Sequence, residues 1–318
     1  MTREQATTTT HQIACDESGW AGDNLHDAGT DVFAHASVRI SHEQAARIVG
    51  EVRERIRSPA EEYKATHLLR ARHRDVLEWF LGPGGPLRAD AHVYLVDKPY
   101  ALVRALADEL SRGPCRGQAA ADIAARLQSG GERTLGAAGW SRFLGEANTV
   151  LRARRRIGPP LPPVRLARTN GGSSLAAAAE LVADRASEPW SRETHEPGTM
   201  RLDPLPAAIV RTAAYWTTDG TCVSIVHHQQ STLTDQRVAA IVADESLHGR
   251  LTGVSLADSR TDLRVQIADY LAGVARSIAS AERGGHGDET LTTMLRPYVA
   301  RDSVWGDSAS WARLRAAD

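Results

Sequence analysis

The stretch Ile13-Ala14-Cys15-Asp16-Glu17-Ser18-Gly19 ends an apolar run in two adjacent acids and a small-residue turn. A short apolar run of this kind is typical of a buried strand. Where the apolar pattern stops, the side chain reaches the rim of the sheet and meets solvent or a ligand. We therefore expect Asp16 to bind a ligand. Asp, Ser and Gly are also favoured in turns, so the same residues are compatible with a plain turn.

The composition predicts an ordinary globular protein. Of the 318 residues, 42% are hydrophobic and 24% are charged, which suggests neither a disordered nor a fibrous class. No charge-free apolar run approaches the roughly 20 residues that cross a bilayer. Residues 1–12 are polar and Thr-rich, so they predict a disordered leader and not a signal peptide. We therefore expect a cytoplasmic protein without a membrane contact.

Charge and cysteine content narrow the choice of partners. The formal net charge of -1 gives no overall field to attract polyanions, so a nucleic-acid contact has to come from a local basic patch. The densest basic run is Arg152, Arg154, Arg155 and Arg156, which is a candidate for binding phosphate but is also typical of a solvated helix end. The three cysteines form no CxxC pair, which argues against a zinc site or a disulfide framework.

Lysine is nearly absent from the chain. Of 38 basic residues only Lys64 and Lys98 are lysine. Because a compact ammonium group differs from a planar guanidinium group, these two positions are candidates for sites that need the smaller cation. Each lies within three residues of an acid, Glu62 and Asp97 respectively. Two lysines are equally compatible with chance, and Glu62 and Lys64 with a solvated charged stretch.

Three later strand-like runs also end in polar residues. Two of them end in an acid, at Asp97 and Asp258, and so repeat the pattern of the first strand. The third ends instead in His227 and His228. Adjacent histidines on a strand point to opposite faces, so at most one of them belongs to a site. A further strand within 31–40 is expected to form an antiparallel hairpin with the first.

Helical patterns divide the chain into a core, an insertion and an extension. Residues 1–112 and 201–285 alternate strands with helices and form an α/β core. Its first helix is capped by Ser41, runs to about Ile56 and covers the sheet with one apolar stripe. That stripe consists of Ala45, Ile48, Val49, Val52 and Ile56. Residues 113–200 form an Ala- and Arg-rich helical insertion, and residues 286–318 form a C-terminal extension that packs on the core. Predicted helices of the insertion are Gln118–Leu127, Gly139–Arg156 and Ser174–Ala186.

A fourth acid lies within a helix. The helix that follows Asp262 carries Asp269 among Val265, Ala272 and Gly273 at helical spacing. This apolar, small-residue face predicts burial against the sheet. A buried carboxylate is costly unless it is paired or binds a metal, although most aspartates face solvent.

These four acids together predict a metal site. If the strands are adjacent, Asp16, Asp97 and Asp258 meet at one rim, and Asp269 joins them from the covering helix. Such a cluster would repel itself without cations. Oxygen ligands suit Mg²⁺ or Mn²⁺, and two such ions roughly 4 Å apart clamp the attacking and leaving oxygens of a phosphodiester.

Four short motifs resemble those of the domain-of-unknown-function 3800 family. They are Asp16-Glu17-Ser18-Gly19, Glu62-x-Lys64, Asp97-Lys98, and Asp258-Ser259 with Gln266-x-Ala268-Asp269. The resemblance covers most of residues 11–280, apart from 113–200. It implies a ribonuclease-H-like fold and a metal-dependent nuclease with Asp16, Asp97 and Asp269 as leading ligands. Fold transfers better than activity through motifs this short.

One stretch departs from the family pattern. His227-His228-Gln229-Gln230 stands before Thr232-Leu233-Thr234, where His-Asp-Glu-Gln or a similar sequence is expected. The chain therefore lacks the acids that an accessory ligand would require there.

The sequence thus predicts an α/β, ribonuclease-H-like mixed sheet flanked by helices, with a helical insertion, that hydrolyses nucleic-acid phosphodiester bonds using Mg²⁺ or Mn²⁺. The alternative is a catalytically silent scaffold that binds a partner or nucleic acid. Predicted catalytic residues are Asp16, Glu17, Glu62, Lys64, Asp97, Asp258 and Asp269, of which Asp16, Asp97 and Asp269 bind metal. Predicted substrate-binding residues are Ser18, Lys98, Arg154, Arg155, Ser259 and Gln266.

Overall fold

A computed structural model describes residues 10–26, 29–58, 60, 63–110, 116–155 and 202–316. Its centre is one five-stranded sheet. The strands are β1 (Thr10–Ser18), β2 (Val32–Val38), β3 (Ala91–Asp97), β4 (Cys222–His228) and β5 (Leu251–Ala257). Because β1 begins at Thr10, the end of the predicted leader is part of the sheet.

The sheet is mixed, with the order β3-β2-β1-β4-β5. β1, β2 and β3 form an antiparallel meander, whereas β4 and β5 run parallel to β1. Consequently the carboxyl ends of β1, β3, β4 and β5 all lie at one edge, which we call the rim. These findings confirm the predicted α/β class with a mixed sheet flanked by helices.

Ten helices of the described residues surround the sheet. They are α1 (His42–Ile56), α2 (Ala65–Leu68), α3 (Arg74–Leu81), α4 (Lys98–Leu110), α5 (Arg116–Arg155), α6 (Pro204–Trp216), α7 (Asp235–Val242), α8 (Leu263–Arg283), α9 (Glu289–Leu295) and α10 (Ser308–Leu314). The Ser41 cap of α1 and its buried stripe are as predicted. Among the described residues, no helix has both the length and the apolar character needed to cross a membrane.

The two faces of the sheet are buried in separate apolar cores. Alternate side chains of β1 show the division, since Ile13 and Cys15 belong to one core and Ala14 to the other. Helices α4 to α7 cover the first face, and α1, α2, α3 and α8 cover the second. A residue's position along a strand therefore determines the face on which it acts.

The described part of the insertion is α5, whose helical geometry is interrupted at Gly136, where φ is 67°. The two predicted helices of this region correspond to the segments on either side. Phe143 and Leu144 of α5 share the first core with Leu102 of α4. The predicted helix Ser174–Ala186 lies outside the described residues.

The C-terminal extension contacts the outer edge of the sheet. Val299 and Val304 form parallel bridges to Val93 and Val96 of β3. Farther along, the side chain of Arg313 pairs with Glu282 of α8. The extension thereby covers the backbone groups of β3, which would otherwise form an open edge.

Candidate active site

The first pair of site residues lies on adjacent parallel strands. Cys15 pairs with His227, so the next residues, Asp16 and His228, stand side by side on the face that α8 covers. Nδ1 of His228 lies 3.4 Å from Oδ1 of Asp16. This hydrogen bond is the main cause of a raised pKa at His228. Asp16 is only 2% exposed, so its carboxylate depends on this partner and on the amide of Glu17, which donates to Oδ1 over 2.7 Å.

Helix α8 passes along the rim and brings in the second carboxylate. Its small residue Gly273 lies over β1, since a Cβ built there would stand 3.9 Å from Oγ of Ser18 and 2.3 Å from Cβ of Ala65. One turn earlier on the same face is Asp269, whose Oδ2 lies 3.7 Å from Nζ of Lys64. Because glycine permits this close packing, α8 lies against the end of β1, and Lys64, which precedes Ala65, is held beside it.

The two pairs lie at the same end of the sheet, and the charge of one acts on the other. The positive charge of Lys64 acts to lower the pKa of His228, as a neighbouring like charge does. We call Asp16, His228, Lys64 and Asp269 the rim cluster. It contains the carboxylates of Asp16 and Asp269, the imidazole of His228 and the ammonium group of Lys64, near the carboxyl ends of β1 and β4. His228 is the member that sequence reasoning left open, and only the parallel pairing of β1 with β4 distinguishes it from His227.

Glu17 lies next to Asp16 in the chain but points to the opposite face. Its Oε1 accepts a hydrogen bond from Nε2 of Gln230 over 2.7 Å, and its Oε2 lies 3.5 Å from Nε2 of buried His227. Nδ1 of His227 donates to the carbonyl oxygen of His228, so in neutral His227 the Nε2 lone pair faces Glu17. Burial, followed by the charge of Asp16, raises the pKa of Glu17 to about 7. Glu17 thus lies next to the rim cluster, on the opposite face of β1.

Asp97 lies far from the rim cluster, contrary to the prediction of one shared site. It is fully buried, and its Oδ1 lies 3.1 Å from Nε of Arg283. Asp269 and Arg283 are fourteen residues apart on α8, a separation of about 21 Å along the helix. Burial raises the pKa of Asp97, against the opposing effect of Arg283. The structure therefore does not bring Asp97 together with Asp16 and Asp269, and a metal-binding role of Asp97 stays a prediction.

Asp258 is paired with Arg260, two residues later in the chain. Oδ2 of Asp258 lies 2.6 Å from Nη2 of Arg260, and Oδ1 accepts the backbone amide of Arg260 over 2.8 Å. These bonds hold the pKa of Asp258 well below its usual value. Asp258 is close enough to His228 to be affected by its charge, so it borders the rim cluster but is already paired.

The predicted substrate-binding residues have different surroundings. Lys98 is 1% exposed and donates to Oγ1 of Thr30 over 2.8 Å and to the carbonyl oxygen of Gly19 over 3.3 Å. It therefore holds the loop after β1, and its predicted role in substrate binding stays a prediction. Ser259 and Gln266 are buried as well, and their predicted roles stay predictions. Ser18 accepts a hydrogen bond from Arg276 of α8.

Three predicted residues cannot be placed. Glu62 lies outside the described residues. Arg154 and Arg155 are at the carboxyl end of α5, and their side chains are outside the described part of the chain. Their predicted roles remain predictions.

The acids of the rim cluster are two carboxylates, Asp16 and Asp269. In the described part of the chain, no group of three or more His, Cys, Asp or Glu side chains is arranged to hold a metal. The rim cluster nevertheless offers the carboxylates of Asp16 and Asp269. Mg²⁺ is commonly held by one or two carboxylates, with waters and substrate phosphates as its remaining ligands. A two-ion arrangement that includes Asp97 stays a prediction, since Asp97 lies apart from Asp16 and Asp269.

Comparisons with known proteins add no relative. The chain matches no protein-family model, no curated protein and no solved structure.

Proposed function

We propose that the chain is a metal-dependent phosphodiester hydrolase with a ribonuclease-H-like fold, related to the domain-of-unknown-function 3800 family, and that the rim cluster is its active site for nucleic acid. The observation that supports the proposal is that two pairs, Asp16 with His228 and Asp269 with Lys64, lie at the rim. Open α/β sheets bind ligands outside the carboxyl ends of their strands, at the point where the strand order reverses. That point is the boundary between β1 and β4.

Each member of the rim cluster has a role that follows from its contacts. Asp16 and Asp269 would hold Mg²⁺ or Mn²⁺, which when bound polarises a phosphoryl oxygen and lowers the pKa of a coordinated water. Lys64 orients Asp269 and places a positive charge where a phosphate would approach. His228 orients Asp16 through their hydrogen bond. Glu17, which is not a member of the cluster, lies on the opposite face of β1 and holds Gln230 through a hydrogen bond.

The alternative is a scaffold without catalysis that binds a partner. It is favoured by the way in which Asp97 and Asp258 are paired with Arg283 and Arg260, because carboxylates that have protein cations as partners need no metal. The two functions differ in their dependence on a divalent ion.

A nuclease assay tests the proposal. Single- and double-stranded DNA and RNA are incubated with the protein and Mg²⁺ or Mn²⁺, and parallel reactions contain EDTA. We expect ion-dependent cleavage that Asp16→Asn and Asp269→Asn each abolish. The matched control is Glu51→Gln, which removes an exposed carboxylate that pairs with Arg55 on α1. Cleavage that persists in both aspartate variants, or no cleavage and no Mn²⁺-dependent rise in melting temperature, would reject the proposal.

A further inference from the structure

Arg276 is a half-buried guanidinium that points to the end of β1. It lies on the same stripe of α8 as Asp269 and Gly273, at positions i+7 and i+3. Its Nε donates a hydrogen bond to Oγ of Ser18 over 2.9 Å. Ser18 follows Asp16 by two residues and faces the same side of the sheet. Arg276 therefore stands beside the rim cluster, two helical turns from Asp269.

The surroundings of Arg276 differ from those of its neighbours on α8. Arg264 at the start of the helix pairs with Asp262, and Arg283 at its end pairs with Asp97 and Asp31. Among the described residues, Arg276 has no carboxylate within ion-pair distance, and the group to which it donates is the neutral hydroxyl of Ser18. Since a guanidinium stays charged at all ordinary pH values, Arg276 presents an uncompensated positive charge.

The position of this charge is held by close packing. A Cβ built on Gly19 would lie 2.7 Å from Cδ of Arg276 and 2.2 Å from the carbonyl oxygen of Val32. Gly19 also has a φ of 80°, which favours glycine. The stem of Arg276 thus rests on the turn after β1, and Nε is occupied by the hydrogen bond that it donates to Ser18. The two terminal nitrogens are left to bind a ligand.

We propose that Arg276, positioned by Ser18, forms a phosphate-binding subsite beside the rim cluster. A guanidinium fork binds phosphate oxygens in a bidentate manner. Asp269 and Arg276 are seven positions apart, which corresponds to about 10 Å along the helix, too far for one phosphate group to reach both. The subsite therefore holds a phosphate neighbouring the one at the rim cluster. This inference rests on the proposed function, because it assigns the substrate's flanking phosphate.

Inorganic phosphate is the probe that tests the subsite without cleavage. The protein, ¹⁵N-labelled and kept in EDTA, is titrated with phosphate while its arginine Nε–H resonances are recorded. The resonance that Arg276→Lys removes is assigned to Arg276 and is expected to shift on titration. We expect Arg276→Gln to weaken phosphate binding by about tenfold or more, as the loss of a charged hydrogen-bond partner does. Arg276→Lys should recover only part of the affinity, because an ammonium group lacks the fork.

Two further variants make the result specific. Ser18→Ala leaves the charge but frees the guanidinium, so it should weaken binding less than Arg276→Gln does. Arg142→Gln removes an exposed arginine of α5 and should leave the affinity unchanged. Melting temperatures verify that each variant is folded.

The outcomes separate the subsite from the hydrolase. An unshifted Arg276 resonance, absence of phosphate binding by the wild-type protein, or equal affinity in Arg276→Gln overturns the subsite even if the protein cleaves nucleic acid. Phosphate binding that depends on Arg276, in a protein without metal-dependent cleavage, supports the subsite and rejects the hydrolase. If both hold, Arg276→Gln should raise KM for an oligonucleotide far more than it lowers kcat.

Discussion

Nζ of Lys64 lies 3.7 Å from Oδ2 of Asp269, so one of the two lysines in the chain faces an acid of the rim cluster. The side chains of Lys64 and Asp269 are 42% and 19% exposed. A pair this accessible contributes about 1 kcal/mol or less to the free energy of unfolding. Its main effect is therefore on the position of the charges at the site and not on the stability of the fold.

Replacing Lys64 should separate function from stability. We expect Lys64→Gln to lower cleavage by about tenfold or more, because a phosphate loses a positive charge beside Asp269, while the free energy of unfolding changes by less than about 1 kcal/mol. Lys64→Arg should retain part of the activity. Cleavage rates and urea unfolding are measured for both variants, with Arg72→Gln as an exposed control. Full activity in Lys64→Gln would contradict the role.

Gly273 should be needed for the approach of α2 to α8. Because a Cβ at this position would lie 2.3 Å from Cβ of Ala65, Gly273→Ala has to displace α2 and, with it, Lys64. We expect a loss of about 1–3 kcal/mol in the free energy of unfolding, as overpacking produces, and a fall in cleavage. The matched control is Gly50→Ala on α1, where nothing lies within 4 Å of an added Cβ. That change should stabilise the protein by up to about 1 kcal/mol. Equal effects of the two changes would show that the contact is unimportant.

Asp97 and Asp269 should respond in opposite ways to the same substitution. Asp97→Asn removes the fully buried partner of Arg283 and leaves it only the more exposed Asp31, and breaking a buried pair typically costs about 3–5 kcal/mol. Asp269→Asn removes a partly exposed carboxylate, so it should abolish cleavage and change the free energy of unfolding by less than about 1 kcal/mol. Chemical unfolding and Mn²⁺-dependent cleavage are compared for both variants. If Asp97→Asn were stable and inactive, Asp97 would belong to the site after all.

Local patterns in the sequence predicted much of the fold. The cap at Ser41 and the apolar stripe of α1 depend only on residues within one helix, and both are observed. The hairpin of β1 and β2 joins neighbouring segments and is observed as well. In such cases the interacting residues are close in the chain, so periodicity carries the information.

Site residues were harder to predict because their neighbours are set by the order of the strands. Asp97 ends a strand at the rim, which is the position expected of a metal ligand. However, β2 lies between β3 and β1. Through Ala36 of β2, Asp16 is in register with Val93 of β3, and Asp97 lies four residues beyond Val93. Together with the two strand spacings, this places Asp97 on the order of 15 Å from Asp16. Nothing within the motif Asp97-Lys98 reveals that separation. Arg276 was missed for a related reason: its position i+7 from Asp269 was visible, but its contact with Ser18 depends on how α8 crosses β1.

Buried histidines on the α6 face should make the fold sensitive to acid. His92 is 3% exposed, its ring stacks on Tyr215 with centroids 4.0 Å apart, and burial lowers the pKa of His92 from 6.5 to about 3. The folded pKa lies below the unfolded pKa, so below pH 6.5 the unfolded chain binds a proton that the folded chain does not. The stabilisation is therefore fully present above pH 6.5 and is lost progressively as the pH falls towards 3.

The size of this effect can be checked with His92→Phe, which keeps a ring against Tyr215 but has no group to titrate. Between pH 7 and pH 5 the wild-type protein should lose about 2 kcal/mol of its free energy of unfolding through His92, and the variant should lose correspondingly less. Urea unfolding at pH 7, 6 and 5 gives both profiles. His286→Gln, which alters an exposed histidine, is the control and should follow the wild-type protein. Parallel profiles for wild type and His92→Phe would mean that His92 is protonated in the fold, and its burial would then require a compensating acceptor.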